Sequence, residues 1–469
     1  MIACLASCGA GRGAAQVRGA AALSPEAHAF ADTVERRAFD FFWERSDSIT
    51  GLTPDRWPTK SFASVAAMGF ALTAYPIGGE RGWVTREAAA ARTLATLRFL
   101  WTARQDSAAS GATGYRGFYY HFLRPEDGAR FEKVELSSVD TALLMAGVLF
   151  AGEYFAGGTP DEREIRTLAD SLYRRVDWTW LRVRPPLVSH GWSPEEGFLP
   201  YDWGGYNEAM LLYVLALGSP THPVGAEAWA GYTRHYRWGE FEGQKHVNFS
   251  PMFGHQYSHC WIDFRGIRDA FMRSHGLDYF ENSRRATLSQ RAYAIRNPGG
   301  FAGYGPEIWG LSACDGPLDD TLTIAGRRRA FRTYAARGAS LLDIVDDGTI
   351  APTAAGGSVA FTPQLSLAAL TEMKRRYGDA IWGRYGFLDA FNPTLTVPVE
   401  VHHGRLHPRL GWFDTDWLGI DQGPILVMLE NQRSGLVWET MRRNPYLRRG
   451  LAAAGFRGGW LDAPAPARP

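Results

Sequence analysis

Apolar and polar positions along this chain fall into two helical styles. The first is amphipathic. In SPEAHAFADTVERRAFDFFWERSD, Phe30, Val34, Ala38 and Phe41 share one face, behind Ser24 as N-cap and Pro25 at the first helical position. TPDEREIRTLADSLYRRVDW, with Thr159, Pro160 and the capping-box Glu162, and TPQLSLAALTEMKRRYG, from Thr362 to Gly378, repeat that formula. The second style is apolar on most sides, at residues 64–75, 139–155, 208–218 and 423–435. Helices of that kind are buried. Their alternation with amphipathic ones predicts an inner ring wrapped by an outer ring, and six pairs of about 70 residues fill the chain after its first segment. The fold class expected is all-α, an (α/α)6 barrel (toroid) whose long aromatic and Gly/Pro-rich loops form a substrate cleft. No linker, repeat or βαβ alternation interrupts the pattern, so residues 24–463 read as a single domain and 464–469 as a frayed tail.

Composition narrows the partners. Fifty basic and 49 acidic residues leave a net charge of +1, which supplies no field for nucleic acid or an anionic membrane surface, so an uncharged partner is expected. The 17 Trp, 19 Tyr and 26 Phe suit both a core and a sugar-binding cleft. No apolar run reaches the ~18 residues of a membrane span. Residues 1–23 read as a leader remnant or lipoprotein signal: Leu5-Ala6-Ser7-Cys8 resembles a lipobox, although no basic stretch or full apolar segment precedes it. The expectation is a periplasmic or outer-membrane lipoprotein, a monomer tethered only through Cys8. Cys260 and Cys314 are too few for a disulfide framework, and their pairing stays open.

Two acids stand at the starts of buried helices, Glu208 before AMLLYVLALG and Asp421 in GIDQGP. Alone, each reads as a helix-start residue, an acid there contributing ~0.3–1 kcal/mol. The surrounding EGFLPYDWGGYNE and GWFDTDWLGIDQGP, crowded with Trp, Tyr, Gly and carboxylates, argue for more than caps.

The ordered motifs GLTPDRW, TAYPIGGERGWVTREAA, GFYYHFL, ELSSVDTALL, GYNEAMLLYVLALGSPTHP, FGHQYSHCWIDFR, GPEIWGLSACDGP, GTIAPTAAGGSVAFTP and GIDQGP together resemble the bacterial glycoamylase-like family. That group includes the endo-β-1,2-glucanases of glycoside hydrolase family 144. The resemblance runs from about Phe30 to about Leu451. It implies an (α/α)6 barrel, inverting hydrolysis of β-1,2-glucan to sophorooligosaccharides, no cofactor and no metal. Residues 318–346 look longer than the family usually carries and are expected to reshape one wall of the cleft.

Glycoside hydrolysis needs a protonated carboxyl for the leaving oxygen and a second carboxylate to activate water or attack the sugar. By the resemblance Glu208 is the general acid, its apolar seat raising its pKa. Asp421, in a wetter Gly-rich loop, is expected to be the ionised base. Asp140 and Glu135 are reserves: Ser137 and Asp140 have capping-box spacing, and Asp140 is also a candidate for touching substrate or orienting the catalytic water. His255 and His259 have the spacing of a helical zinc pair, but Gln256 stands where a zincin needs Glu and no third ligand is signalled. With Tyr257, Trp261, Asp263 and Arg265 they read as sugar-contacting or core polar groups. Tyr206, Trp309, Asp315 and Trp412 are further candidates for substrate contact, as are Asp55 and Arg56, for which the alternative is a buried ion pair. A retaining transglycosylase, an exo-acting β-glucan hydrolase and a non-catalytic carbohydrate-binding lipoprotein remain the competing readings.

Overall fold

The computed structural model describes residues 23–464. The leader with Cys8, and the tail beyond Pro464, lie outside the described residues. The chain is mostly helical: α1 (Pro25–Arg45), α2 (Val65–Glu80), α3 (Arg86–Thr102), α4 (Ser138–Tyr154), α5 (Pro160–Arg175), α6 (Met210–Gly218), α7 (Glu227–Arg234), α8 (Tyr257–Trp261), α9 (Ala270–His275), α10 (Tyr279–Arg296), α11 (Pro352–Gly356), α12 (Pro363–Tyr377), α13 (Gly419–Arg433), α14 (Leu436–Met441) and α15 (Pro445–Ala453). The Ser24 and Thr159 side chains accept from the amides of Ala27 and Glu162, as their cap positions require. Thr362 makes no such bond, but Gly378 ends α12 with φ +51°.

The apolar helices form the inner layer. Contacts run from α2 to α4, α6, α8 and α13, and α13 returns to α2. Gln256, just before α8, donates to Ala354 O at 2.9 Å and Ser358 Oγ at 2.8 Å, tying α8 to α11, which packs on α13. The α2 and α4 backbones touch: a Cβ on Gly69 would meet Leu143 O at 2.4 Å, and one on Gly147 would meet Gly69 O at 2.1 Å. Outside this layer, α1 packs on α13 and α2, α3 on α2 and α5, α5 on α4, α12 on α11, and α15 on α6. One apolar core extends from Val34 to Phe456.

The loops correct the all-α expectation, for they carry small antiparallel sheets. Gly114–Tyr115, Phe118–Tyr120, Leu136–Ser137, Gly191–Ser193 and Gly197–Phe198 form a five-stranded one, and Phe391–Asn392, Gly411–Phe413 and Arg405–His407 a three-stranded one. Strands of two to four residues are too short for an alternating pattern to register in sequence. They nevertheless aim the inner helices. Ala63–Ser64, Leu136–Ser137 and Trp417–Leu418 lead directly into α2, α4 and α13, and Ser64 and Ser137 cap the first two through their side chains. Cys260 and Cys314 are both buried free thiols and do not pair.

Candidate active site

A cleft of about 540 Å³ opens where the inner helices begin. Ser64, Ser137 with Val139 and Asp140, Glu208, Tyr257, and Leu418 with Ile420 reach it from the starts of α2, α4, α6, α8 and α13. Its walls are aromatic. Phe122 lies 3.9 Å from Phe62 and stacks at 3.9 Å on the His121 ring, and His190 stacks on Trp203 at 3.7 Å.

Glu208 lies in the turn before α6, with its carbonyl accepting from Ser258 Oγ at 3.2 Å. Its Oε2 is buried without a hydrogen-bond partner among the described residues. Burial, reinforced by the negative charge of Asp140, pushes its pKa up to about 7, so near neutrality the group can hold a proton. Ser137 Oγ accepts from the Asp140 amide at 3.2 Å, the N-cap half of the box, while the Asp140 carboxylate accepts from the Ser137 hydroxyl at 2.5 Å and not from its backbone amide. Box and cleft are both served, because Asp140 also faces His121 Nε2 at 3.5 Å. His121 Nδ1 lies 2.8 Å from Glu135 Oε1. Burial opposes charge on this ring, but Asp140, Glu135 and Asp55 overcome it and push the pKa up to about 9. At neutral pH an imidazolium therefore lies between two cleft carboxylates.

Asp421 is the expectation that needs correcting. It is not in a wet loop but in the first turn of α13, only 4% exposed, behind the cleft-lining Leu418 and Ile420. Gly419, Gly423 and Pro424 read as loop residues, yet the early turns of a helix tolerate them. Burial, with the charges of Asp315, Asp414 and Asp55, raises its pKa, while the Asp389 carboxyl works the other way. Asp389 is raised well above the usual range by its own burial and by Asp421. Asp389 Oδ1 and Asp421 Oδ2 are both buried without a hydrogen-bond partner among the described residues. The net effect holds the Asp421 pKa up at about 7, level with that of Glu208, so near neutrality it is only partly ionised and not the plainly ionised base expected. Asp140, not Asp421, is the carboxylate whose charge raises Glu208.

Asp55, Arg56, Glu135 and Tyr257 line the cleft as expected. Arg56 donates to Asp315 at 2.5 Å and Asp55 at 3.2 Å, so the ion-pair reading of Asp55 and Arg56 also holds. Seven other candidates do not line the cleft, among them Asp315, whose carboxylate is taken up by Arg56. Trp309 and Trp412 are fully buried, the latter donating to His403 O at 2.7 Å, and offer no face to a sugar. His255, 3.2 Å from Phe249 O, and His259, 3.0 Å from Ser283 Oγ, are buried, which lowers the His259 pKa to about 3 and holds His255 well below its usual value. Gln256 is the link between α8 and α11, and Tyr206 meets Ser283 Oγ at 3.2 Å inside the core. Trp261 is likewise core, donating to Thr73 Oγ1 at 3.0 Å, and Asp263 is paired with Arg265 at 2.8 Å.

Sequence reasoning missed His121, although GFYYHFL was among the telling motifs, and it missed Asp389 and His403, which carry no local signal. Asp414 and Asp416 stood in a loop already marked as unusual. Among the described residues, Asp315, His403 and Asp414 place donor atoms within 4.8 Å of one another, a spacing able to hold a metal ion. In this structure the same atoms are ion-paired: His403 lies 2.9 Å from Asp414 and 3.3 Å from Asp416, and Arg56 occupies Asp315.

Known proteins resemble this chain in sequence and fold. A curated relative, the exo beta-1,2-glucooligosaccharide sophorohydrolase (non-reducing end) of Parabacteroides distasonis, is 30% identical over 452 residues, covering 90% of this chain. The chain spans 57% of that relative's length. A crystal structure described as a "putative glucoamylase", from Bacteroides caccae ATCC 43185, superposes with a TM-score of 0.79 at 32% identity, covering 92% of this chain and 100% of its own. The endo-beta-1,2-glucanase from Chitinophaga pinensis, in complex with sophorotriose and glucose, gives 0.78 at 28% identity, covering 94% and 100%. The model of the glycoamylase family, which carries the same description as the Bacteroides structure, matches residues 200–445, more than half of the 469, and the chain belongs to that family.

Proposed function

We propose that this protein is a glycoside hydrolase that cleaves β-1,2-glucan on an (α/α)6 barrel, by inversion, with Glu208 as general acid and Asp421 as general base. The observation that carries the reading is Glu208: a carboxyl at an open cleft, held near a pKa of about 7 by burial, can give a proton to a leaving oxygen. Asp421 supports the second role because the Asp389 carboxyl opposes the rise of its pKa, which stands at about 7, so its ionised fraction grows as pH rises through neutrality. Inverting enzymes need room for water between their carboxyls, about 6.5–9.5 Å against about 5–5.5 Å in retaining ones. That Glu208 responds to Asp140 and not to Asp421 favours such a gap. Asp140, fixed by Ser137 and His121, then orients the water or a sugar hydroxyl.

A second reading makes Asp140 the base, since it lines the cleft and Asp421 does not. The β-1,2 linkage rests on the names of the Parabacteroides and Chitinophaga relatives, one exo-acting and one endo-acting. Incubation with linear β-1,2-glucan, with laminarin, cellulose and starch as controls, tests the substrate. Sophorose alone means exo action, a ladder of oligosaccharides means endo action, and release only from a control glucan overturns the linkage. Glu208→Gln and Asp421→Asn should each abolish turnover in folded protein. A near-normal rate in Asp421→Asn, with loss in Asp140→Asn, transfers the base to Asp140. Export by a lipidated Cys8 belongs to the same proposal, and mass spectrometry of the native amino terminus decides it.

A further inference from the structure

The 318–346 segment, marked in the sequence as unusually long, contributes one side chain to the cleft, Tyr334. Most other rings there are engaged in packing: Phe62 against Phe122 and Phe131, Trp203 against His190, and Tyr257 against Phe253 and Phe70. Tyr334 is 62% exposed, and no ring packs against it among the described residues.

Its backbone is held firmly all the same. Tyr334–Ala336 pairs antiparallel with Ala313–Asp315, placing Tyr334 directly opposite Asp315. On one side of it, the Thr333 amide donates to Asp319 Oδ1 at 3.0 Å and the Arg332 amide to Asp347 Oδ2 at 3.1 Å. On the other, the fully buried Arg337 guanidinium donates to both Asp347 oxygens, to Cys314 O and to Arg332 O, each at 2.8 Å. A buried arginine with its donors satisfied makes a stiff staple. A ring left bare on a fixed support, beside hydrogen-bonding groups, is the arrangement that binds a sugar ring. Arg56 and Asp55 line the same cleft, with Arg56 bound to the residue across from Tyr334.

We propose that Tyr334 is a stacking platform for the apolar face of a pyranose, forming a subsite that the 318–346 segment adds to the cleft. The inference rests on the glucan-hydrolase reading and assigns the subsite to one residue. Glu208→Gln protein, in which cleavage is blocked, is titrated calorimetrically with β-1,2-linked glucooligosaccharides of two to six units, alone and combined with Tyr334→Ala or Tyr334→Phe. Tyr334→Ala should weaken the longer ligands about tenfold, the scale of one aromatic contact. The weakening should be larger for long than for short ligands, and Tyr334→Phe should recover most of it. Equal affinities for Glu208→Gln with and without Tyr334→Ala, at every length, overturn the subsite while leaving the hydrolase reading intact. If β-1,2 ligands fail to bind, the same comparison is made with β-1,3-, β-1,4- and α-1,4-linked oligosaccharides. Binding of one of these that depends on Tyr334 retains the subsite and overturns the linkage, and binding of none overturns both.

Discussion

Glu208→Gln should inactivate the protein and stabilise it, and the stabilisation should appear only as pH rises. Burial lifts the Glu208 pKa from the ordinary 4.5 to about 7, so the folded state resists ionising a group that the unfolded chain ionises freely. Below pH 4.5 the carboxyl is protonated in both states and costs nothing. Between pH 4.5 and 7 only the unfolded chain releases its proton, and stability falls steadily. Above pH 7 both states are ionised and the loss is constant. At 1.36 kcal/mol per pH unit the interval is worth about 3 kcal/mol, which the partial exposure of Glu208 reduces to about 1–2 kcal/mol. Gln keeps the shape and removes the charge. In a chain this long, where 1 kcal/mol moves the midpoint by about 1 °C, Glu208→Gln should melt about 1–2 °C above the parent at pH 8 and level with it at pH 4.5. Differential scanning calorimetry at four pH values makes the measurement. A variant that melts below the parent at pH 8, or a difference that does not vary with pH, would refute the claim that burial holds this carboxyl protonated. A stabilised, inactive variant is the signature of a residue kept for chemistry.

His121 behaves in the opposite sense. Its pKa is raised from 6.5 to about 9, so its stabilising pairs with Glu135 and Asp140 are complete below pH 6.5 and lost as pH climbs through 9. The melting gap between the parent and His121→Gln should shrink across that window, and a constant gap argues that the ring is neutral. Arg337→Met leaves Asp347 buried and unpaired and should cost about 3–5 kcal/mol. Chemical denaturation reads that loss, and a change under about 1 kcal/mol would remove Arg337 as the staple of the cleft wall. Proton NMR during early turnover of a β-linked glucan should show the α anomer first, whereas an initial β anomer would establish retention.

The helical layers were legible because capped amphipathic segments and long apolar runs announce themselves, and α1, α2, α4, α6 and α13 form close to where those patterns place them. The inner helices α8 and α11 were not. Five residues complete little more than one turn, too few for any period to emerge. Glu208 was reached because an acid directly before an apolar helix sits where the inner layer opens, whereas Asp140 was a reserve from the ELSSVDTALL motif, and both line the cleft. The FGHQYSHCW histidines were misplaced because an aromatic-rich core and an aromatic-rich cleft have the same composition, and only packing separates them. Asp421 shows a related ambiguity, since glycine and proline in a first helical turn look like a loop on paper. Asp389 and His403 join the site through tertiary contact alone.

The return of α13 to α2 also dictates how the protein must be made. About 340 residues separate the two helices, so during synthesis α2 waits about 20–70 s for the partner that covers one of its flanks. Throughout that interval an apolar strip of the inner layer, rich in alanine and glycine and carrying Met68 and Phe70, lies bare on the nascent chain. Folding can therefore finish only after the ribosome has released the last inner helix. A nascent chain arrested before residue 419 should remain bound to chaperones, however much of its amino-terminal half has already formed.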